Sequence, residues 1–195
     1  MTETFLPKKG NYRNLIVFQK AECIYDITYY FAHKYLQKGD RTIDQMVQAA
    51  RSGRQNIAEG TSAGATSSET ELKLMNVARA SLQELLLDYE DYLRVRGLEL
   101  WALQSEKSEQ CRKACSSHND SAYYRNAIEL RSDETIANIA ITLIHQTDVF
   151  LRKLIERLQD DFLKNGGIKE QMYRARISHR KMTQFPYNWR GNDAG

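Results

Sequence analysis

Two prolines and ten glycines in 195 residues leave the chain with few helix breakers. Proline removes a backbone donor and glycine costs conformational entropy, so their scarcity favours helices, as does the lack of long β-branched runs. No apolar run approaches the roughly 20 residues that span a bilayer, so no membrane segment is expected. Met1 to Lys9 has no apolar stretch after its charges, so no secretory signal is expected either. The three cysteines are odd in number and widely placed, which argues against a disulfide framework. Reduced thiols and a cytoplasmic location follow as expectations. None of His33, His118, His145 and His179 has a glutamate three residues before it, which removes the usual di-iron helical bundle. Cys111, Cys115 and His118 gather on one helical face but lack the fourth ligand of a structural zinc site. The segment from Gly60 to Ser68 lacks the Lys-Ser/Thr of a phosphate-binding loop and reads as a turn. No nucleophile–base arrangement or dinucleotide-binding glycine pattern is found. The expectation is no catalytic residue, no metal, no cofactor and no small-molecule substrate.

What is present is an ordinary globular composition, 42% hydrophobic and 27% charged, long enough for one cored domain and an appendage. The net charge of +3 is unevenly spread. Residues 165–195 hold six basic side chains against two acidic, or +4; the preceding body holds 22 against 23, or −1. The chain therefore divides into a body, 1–164, and a basic, aromatic-containing tail, 165–195.

Periodicity predicts helices along the body. Ile24, Ile27, Phe31 and Tyr35 recur on one face of a first helix from Asn11 to about Leu36. Thr42 with Gln45 forms a capping box for a second helix, which carries Ile43, Met46, Val47, Ala50 and Ile57 and stops at Gly60. Ser68 with Glu71 opens a third, whose three-four repeat runs from Leu72 to Leu93. Residues 98–131 are less regular and read as a helical excursion. Ser132-Asp133 starts a last long helix, which Asn165-Gly166-Gly167 ends. Four amphipathic helices without a convincing strand predict an all-α, antiparallel up-and-down four-helix bundle.

Three pieces then coincide: Asn11-Tyr12-Arg13-Asn14-Leu15-Ile16-Val17-Phe18-Gln19-Lys20-Ala21, Gln55-Asn56-Ile57-Ala58-Glu59-Gly60, and Ala78-Arg79-Ala80-Ser81-Leu82-Gln83-Glu84-Leu85. In this order and spacing the chain resembles the four-helix-bundle proteins encoded in intervening sequences of bacterial large-subunit ribosomal RNA genes. The accessory variability proteins of diversity-generating retroelements belong to the same group. The resemblance covers about residues 11–163, and the tail from Phe162 to Met172 looks like a suffix carried by a subset of that family. It implies a protomer that assembles into a homo-oligomeric, commonly pentameric, ring. It also implies a binding role with RNA, DNA or a reverse-transcriptase complex, and no enzymatic activity. The chain departs from the pattern at Arg51-Ser52-Gly53-Arg54, where many relatives read apolar-Ser-apolar-Pro.

Two groups of candidate residues follow. Asn56 and Glu59 share a helix face, and Arg79 and Glu84 lie on the next helix. An Arg79–Glu59 pair, with Asn56 bridging backbone near Gly60, is expected as a structural polar network. Arg51 and Arg54, and in the tail Arg174, Arg176, Arg180 and Lys181, are candidate nucleic-acid contacts. Guanidinium forks suit phosphates, and the tail's Tyr173, Phe185, Tyr187 and Trp189 suit stacking on bases. An equally open reading has the tail docking on acid, either the stripe Glu84, Asp88 and Asp91 or an acidic protein partner. The favoured function is a non-enzymatic, oligomeric RNA-associated accessory; the alternative is a protein–protein adaptor. A third reading, a metal-independent ribonuclease, rests only on the Arg174-x-x-x-x-His179 spacing.

Overall fold

The computed structural model describes residues 11–183, with side chains as far as Arg180. A single 3-10 turn over Tyr12–Asn14 precedes seven helices: α1 (Ile16–Tyr35), α2 (Arg41–Ala63), α3 (Ser68–Val95), α4 (Glu106–Ser117), α5 (Ser121–Ile128), α6 (Asp133–Asn165) and α7 (Ile168–Thr183). No strand occurs among the described residues, as the all-α expectation requires. No described helix is long and apolar enough to cross a membrane.

Five helices start on a side-chain oxygen that accepts from a backbone N–H of the first turn. The caps are Asp40, Ser67, Ser105, Asp120 and Ser132. Each such cap is worth about 1 kcal/mol. Two expected starts are corrected by these contacts. α2 is capped by Asp40 rather than Thr42, and α3 by Ser67 rather than Ser68. The first expected helix also begins later, because Leu15 is extended and separates the 3-10 turn from α1.

Gly60 does not stop α2, which continues through Ala63. It is buried against α3, where a Cβ would stand 3.1 Å from the Leu74 Cβ and 3.2 Å from the Met75 Cε. Gly53, two turns earlier, is tighter still, with a Cβ reaching 2.8 Å from the Leu82 Cδ2. The two glycines form a seam that lets α2 and α3 approach closely. By contrast Gly166, at φ +71°, does end α6 as expected.

The long helices neighbour one another in a closed cycle: α1 on α2, α2 on α3, α3 on α6, and α6 on α1. Between them lie fully buried Ile24, Ile27 and Phe31 of α1, Met46 and Ile57 of α2, Leu82, Leu85 and Tyr89 of α3, and Ile136, Leu143 and Ile144 of α6. Inside this core the Tyr89 hydroxyl donates to Thr28 Oγ1 at 3.0 Å, so the phenol enters the core with its polar end satisfied.

The excursion is two short helices, with α4 against α6 and α5 against α1. Body side chains hold it largely by its main chain. Asn138 Nδ2 donates to Glu99 O at 2.8 Å while its Oδ1 accepts from Trp101 N at 2.9 Å. Lys20 Nζ donates to Cys115 O at 2.6 Å, and Gln146 Nε2 to Arg112 O at 3.0 Å. Tyr35 Oη donates to Arg131 O at 2.9 Å. The described part of the tail is α7, whose first turn lies beside Ser68 and Glu71 at the start of α3.

Candidate nucleic-acid interface

The expected polar network is rearranged. Arg79 does not pair with Glu59. Its Nε lies 2.6 Å from Asp148 Oδ1 on α6, and Arg152 approaches the other oxygen of Asp148 at 3.0 Å. Glu59 and Glu84 are exposed, and Glu84 lines an α2–α3 groove with Asp44 and Asp88. Burial raises the Asp88 carboxyl above its ordinary value, and the neighbouring Asp91 and Glu84 add to the rise. Asn56 does not bridge to Gly60. Its Nδ2 donates to Ser52 O at 2.8 Å and lies 3.1 Å from Ser52 Oγ, which is 2.9 Å from Ser81 Oγ on α3. The α2–α3 lock is therefore Asn56–Ser52–Ser81, beside the Gly53 seam. Within 51–54, Gly53 leaves room for Leu82 of α3 and Ser52 joins Asn56 to Ser81.

Of the candidate cations, Arg51 is exposed on α2. Arg54 turns the other way, and its guanidinium sits over the Tyr25 ring of α1, 4.3 Å from the centroid. That contact opens a file of rings. Tyr25 lies 6.3 Å from Tyr29, and Tyr29 lies 4.2 Å from the His33 ring, all three tilted along α1. The four-residue spacing puts successive rings one above the other on the same helix face. Tyr29 is 51% exposed although it is a large aromatic. His33 is fixed by a 2.7 Å hydrogen bond between Nδ1 and Tyr29 O.

These rings line a groove of about 630 Å³ between α1 and α5, with Lys34 and Arg125 at its sides. Its acidic residues are Asp26 and Glu129. Asp26 accepts from the Ser121 hydroxyl and lies 3.9 Å from Arg125. Lys34 Nζ donates to Tyr30 Oη at 2.5 Å, a contact that raises the Lys34 pKa and keeps the ammonium charged. The groove thus presents flat faces with cations beside them, a combination that stacks on bases and attracts phosphates. The sequence reading passed over these residues. The signal was the run of aromatic rings at 25, 29 and 33, which at helical spacing reads equally as core.

In the tail, Arg174, Arg176 and Arg180 are exposed on α7. The side chain of Lys181 lies outside the described residues, as do Phe185, Tyr187, Trp189 and Arg190. Arg174 and His179 are about 140° apart around the α7 axis, so the histidine and the arginine that would steady phosphate charge beside it leave the helix on different faces. His118 stacks on Tyr123 with ring centroids 3.7 Å apart. No cluster of three or more His, Cys, Asp or Glu side chains suited to a metal ion occurs among the described residues. No family model, curated protein or solved structure matches the chain.

Proposed function

We propose that the protein is a non-enzymatic, oligomeric RNA-binding accessory that stacks single-stranded RNA on the outer face of α1. The closed cycle of α1, α2, α3 and α6 supports an antiparallel four-helix bundle, because five- and four-residue links (36–40 and 64–67) return the chain alongside itself. The observation that carries the function is the file of Arg54, Tyr25, Tyr29 and His33, of which Arg54 and Tyr25 are half-buried and Tyr29 and His33 are exposed. Tyr29 leaves about half of its surface open to solvent, with the Arg54 cation at one end of its file, and an open ring of this kind is what unstacked bases stack on. The resemblance to proteins of ribosomal-RNA intervening sequences agrees with an RNA partner, a cytoplasmic site and a ring of subunits. α7 adds exposed arginines that can meet phosphates elsewhere on the molecule.

The test is binding of a labelled unstructured RNA to the full chain over a salt series. Tyr29→Ala is expected to weaken binding by about 1–3 kcal/mol, the stacking of one base. Arg54→Ala is expected to weaken it and to lower the salt slope by about one. Binding unchanged by Tyr29→Ala would reject the α1 platform. A basic α7 that docks on an acidic protein, the second reading, predicts no RNA affinity at physiological salt.

A further inference from the structure

Cys111 and Cys115 stand one turn apart on α4, with their sulfurs 3.9 Å from each other. Cys111 is half-buried and Cys115 is 1% exposed. Both line a pocket of about 420 Å³ between the excursion and α6. Arg131 and Lys107 lie on that lining, Lys107 paired with Glu99 at 3.2 Å, and no carboxylate belongs to the lining itself. Trp101, Tyr123 and Tyr124 complete its apolar walls. Behind Cys115, the buried Lys20 ammonium sits 2.6 Å from the residue's own carbonyl oxygen. A half-buried sulfur on a pocket, a second sulfur in reach and the Arg131 guanidinium on the same lining make the setting of a reactive thiol rather than an idle one. The hydrogen bond from Cys115 lowers the Cys111 thiol below its ordinary value, and Arg112 and Arg131 lower it further. Cys23 supplies the contrast within the same chain: it is fully buried, and burial pushes its thiol up to about 12.

We propose that Cys111 and Cys115 form a peroxide-reactive dithiol, Cys111 attacking and Cys115 resolving. The co-reactant is a small hydroperoxide, ROOH. The Cys111 thiolate attacks the terminal oxygen, the O–O bond breaks, and alkoxide leaves, taking a proton to become ROH. Cys111 is now a sulfenic acid, oxidised by two electrons. The Cys115 sulfur, giving up its proton, then attacks the Cys111 sulfur. The S–O bond breaks, hydroxide leaves with that proton as water, and the S–S bond forms. One ROOH and two thiols thus become one disulfide, one ROH and one water.

The helix sets the character of that bond. Cβ atoms four residues apart are about 5–6 Å from each other, and a relaxed disulfide wants them about 3.5–4.5 Å apart. Closure therefore draws in the last turn of α4, which ends at Ser117. A disulfide under such tension is readily reduced, as reversible ones are.

The experiment treats the full chain with hydrogen peroxide, alkylates the remaining thiols and maps them by mass. An intramolecular Cys111–Cys115 bond is expected, reversed by dithiothreitol, with Cys23 alkylated throughout. Cys115→Ser is expected to stop at a dimedone-trappable sulfenic acid on Cys111. Cys111→Ser is expected to slow thiol loss at least about tenfold, because it leaves only Cys23 and Cys115, both buried and held below the few per cent thiolate of an ordinary cysteine. Cys115→Ala replaces Cys115→Ser should the serine variant not fold, and the mapping on the unaltered chain needs neither. The proposal is overturned if Cys111 oxidises no faster than Cys23, or if peroxide yields only intermolecular bonds or sulfinic acid.

Discussion

Lys20 is fully buried and donates to two neutral acceptors, Cys115 O at 2.6 Å and Gln146 Oε1 at 3.1 Å. Burial lowers its pKa from the ordinary 10.5, and that has a thermodynamic consequence. Between the lowered folded value and the unfolded value the native state binds fewer protons than the unfolded chain. Stability therefore rises with pH through that window, and the penalty of the buried ammonium is full below it. Lys20→Met removes the titration. The expected outcome is that the gain in urea midpoint as pH rises towards the ordinary lysine value is smaller in the variant. Tyr89 and Tyr124 act in the opposite sense at higher pH, since burial raises both phenols and the unfolded chain ionises first. At the same scale the sequence was least readable in its pairings. Arg79 and Asp148 are 69 residues apart, and no local pattern marks one as the other's partner. Asn56 was legible as a structural polar residue, but its true partner, Ser52, lies one turn back on its own helix.

Among the helices, legibility followed the strength of the apolar repeat. α3 and α6 show it over most of their length and were readable almost to the residue, including the glycine end of α6. α4 buries only Ser108 and Cys115, so a hydrophobic period could not announce it. Adjacent hydroxyl and carboxyl residues made the cap positions ambiguous by one or two residues, as at Asp40 and Thr42. Gly60 was misread because glycine both ends helices and lets them touch, and only the facing helix distinguishes the two. The seam makes a direct prediction. Gly53→Val would force branched carbon into Leu82, which is 1% exposed and has nowhere to go. The expected loss is about 1–3 kcal/mol, the cost of overpacking a core, read from the urea midpoint. Gly39, with nothing within 4 Å of an added Cβ, is unsuited as a control because its φ is +93°. A surface change such as Lys73→Ala, at an exposed ion pair, serves instead.

At the scale of the whole molecule, charge is divided between a near-neutral body and a basic end carried on its own helix. If the body holds the assembly and α7 only adds cations, a chain ending at Lys164 keeps the subunit number of the full chain. Light scattering checks the mass, and RNA titration is expected to show a shallower salt dependence for the shorter chain. A fall to monomers would assign assembly to α7.

The excursion between α3 and α6 is gripped in an unusual way. Lys20, Asn138, Gln146 and Tyr35 take hold of carbonyl groups at Cys115, Glu99, Arg112 and Arg131 and of the amide at Trp101, atoms that every residue but proline supplies. The body thus dictates where the excursion runs while leaving most of its side chains unconstrained by those grips. Such an arrangement is a socket for variation: outward residues of 98–131 can drift or be exchanged in evolution, or by a designer, without the segment losing its place.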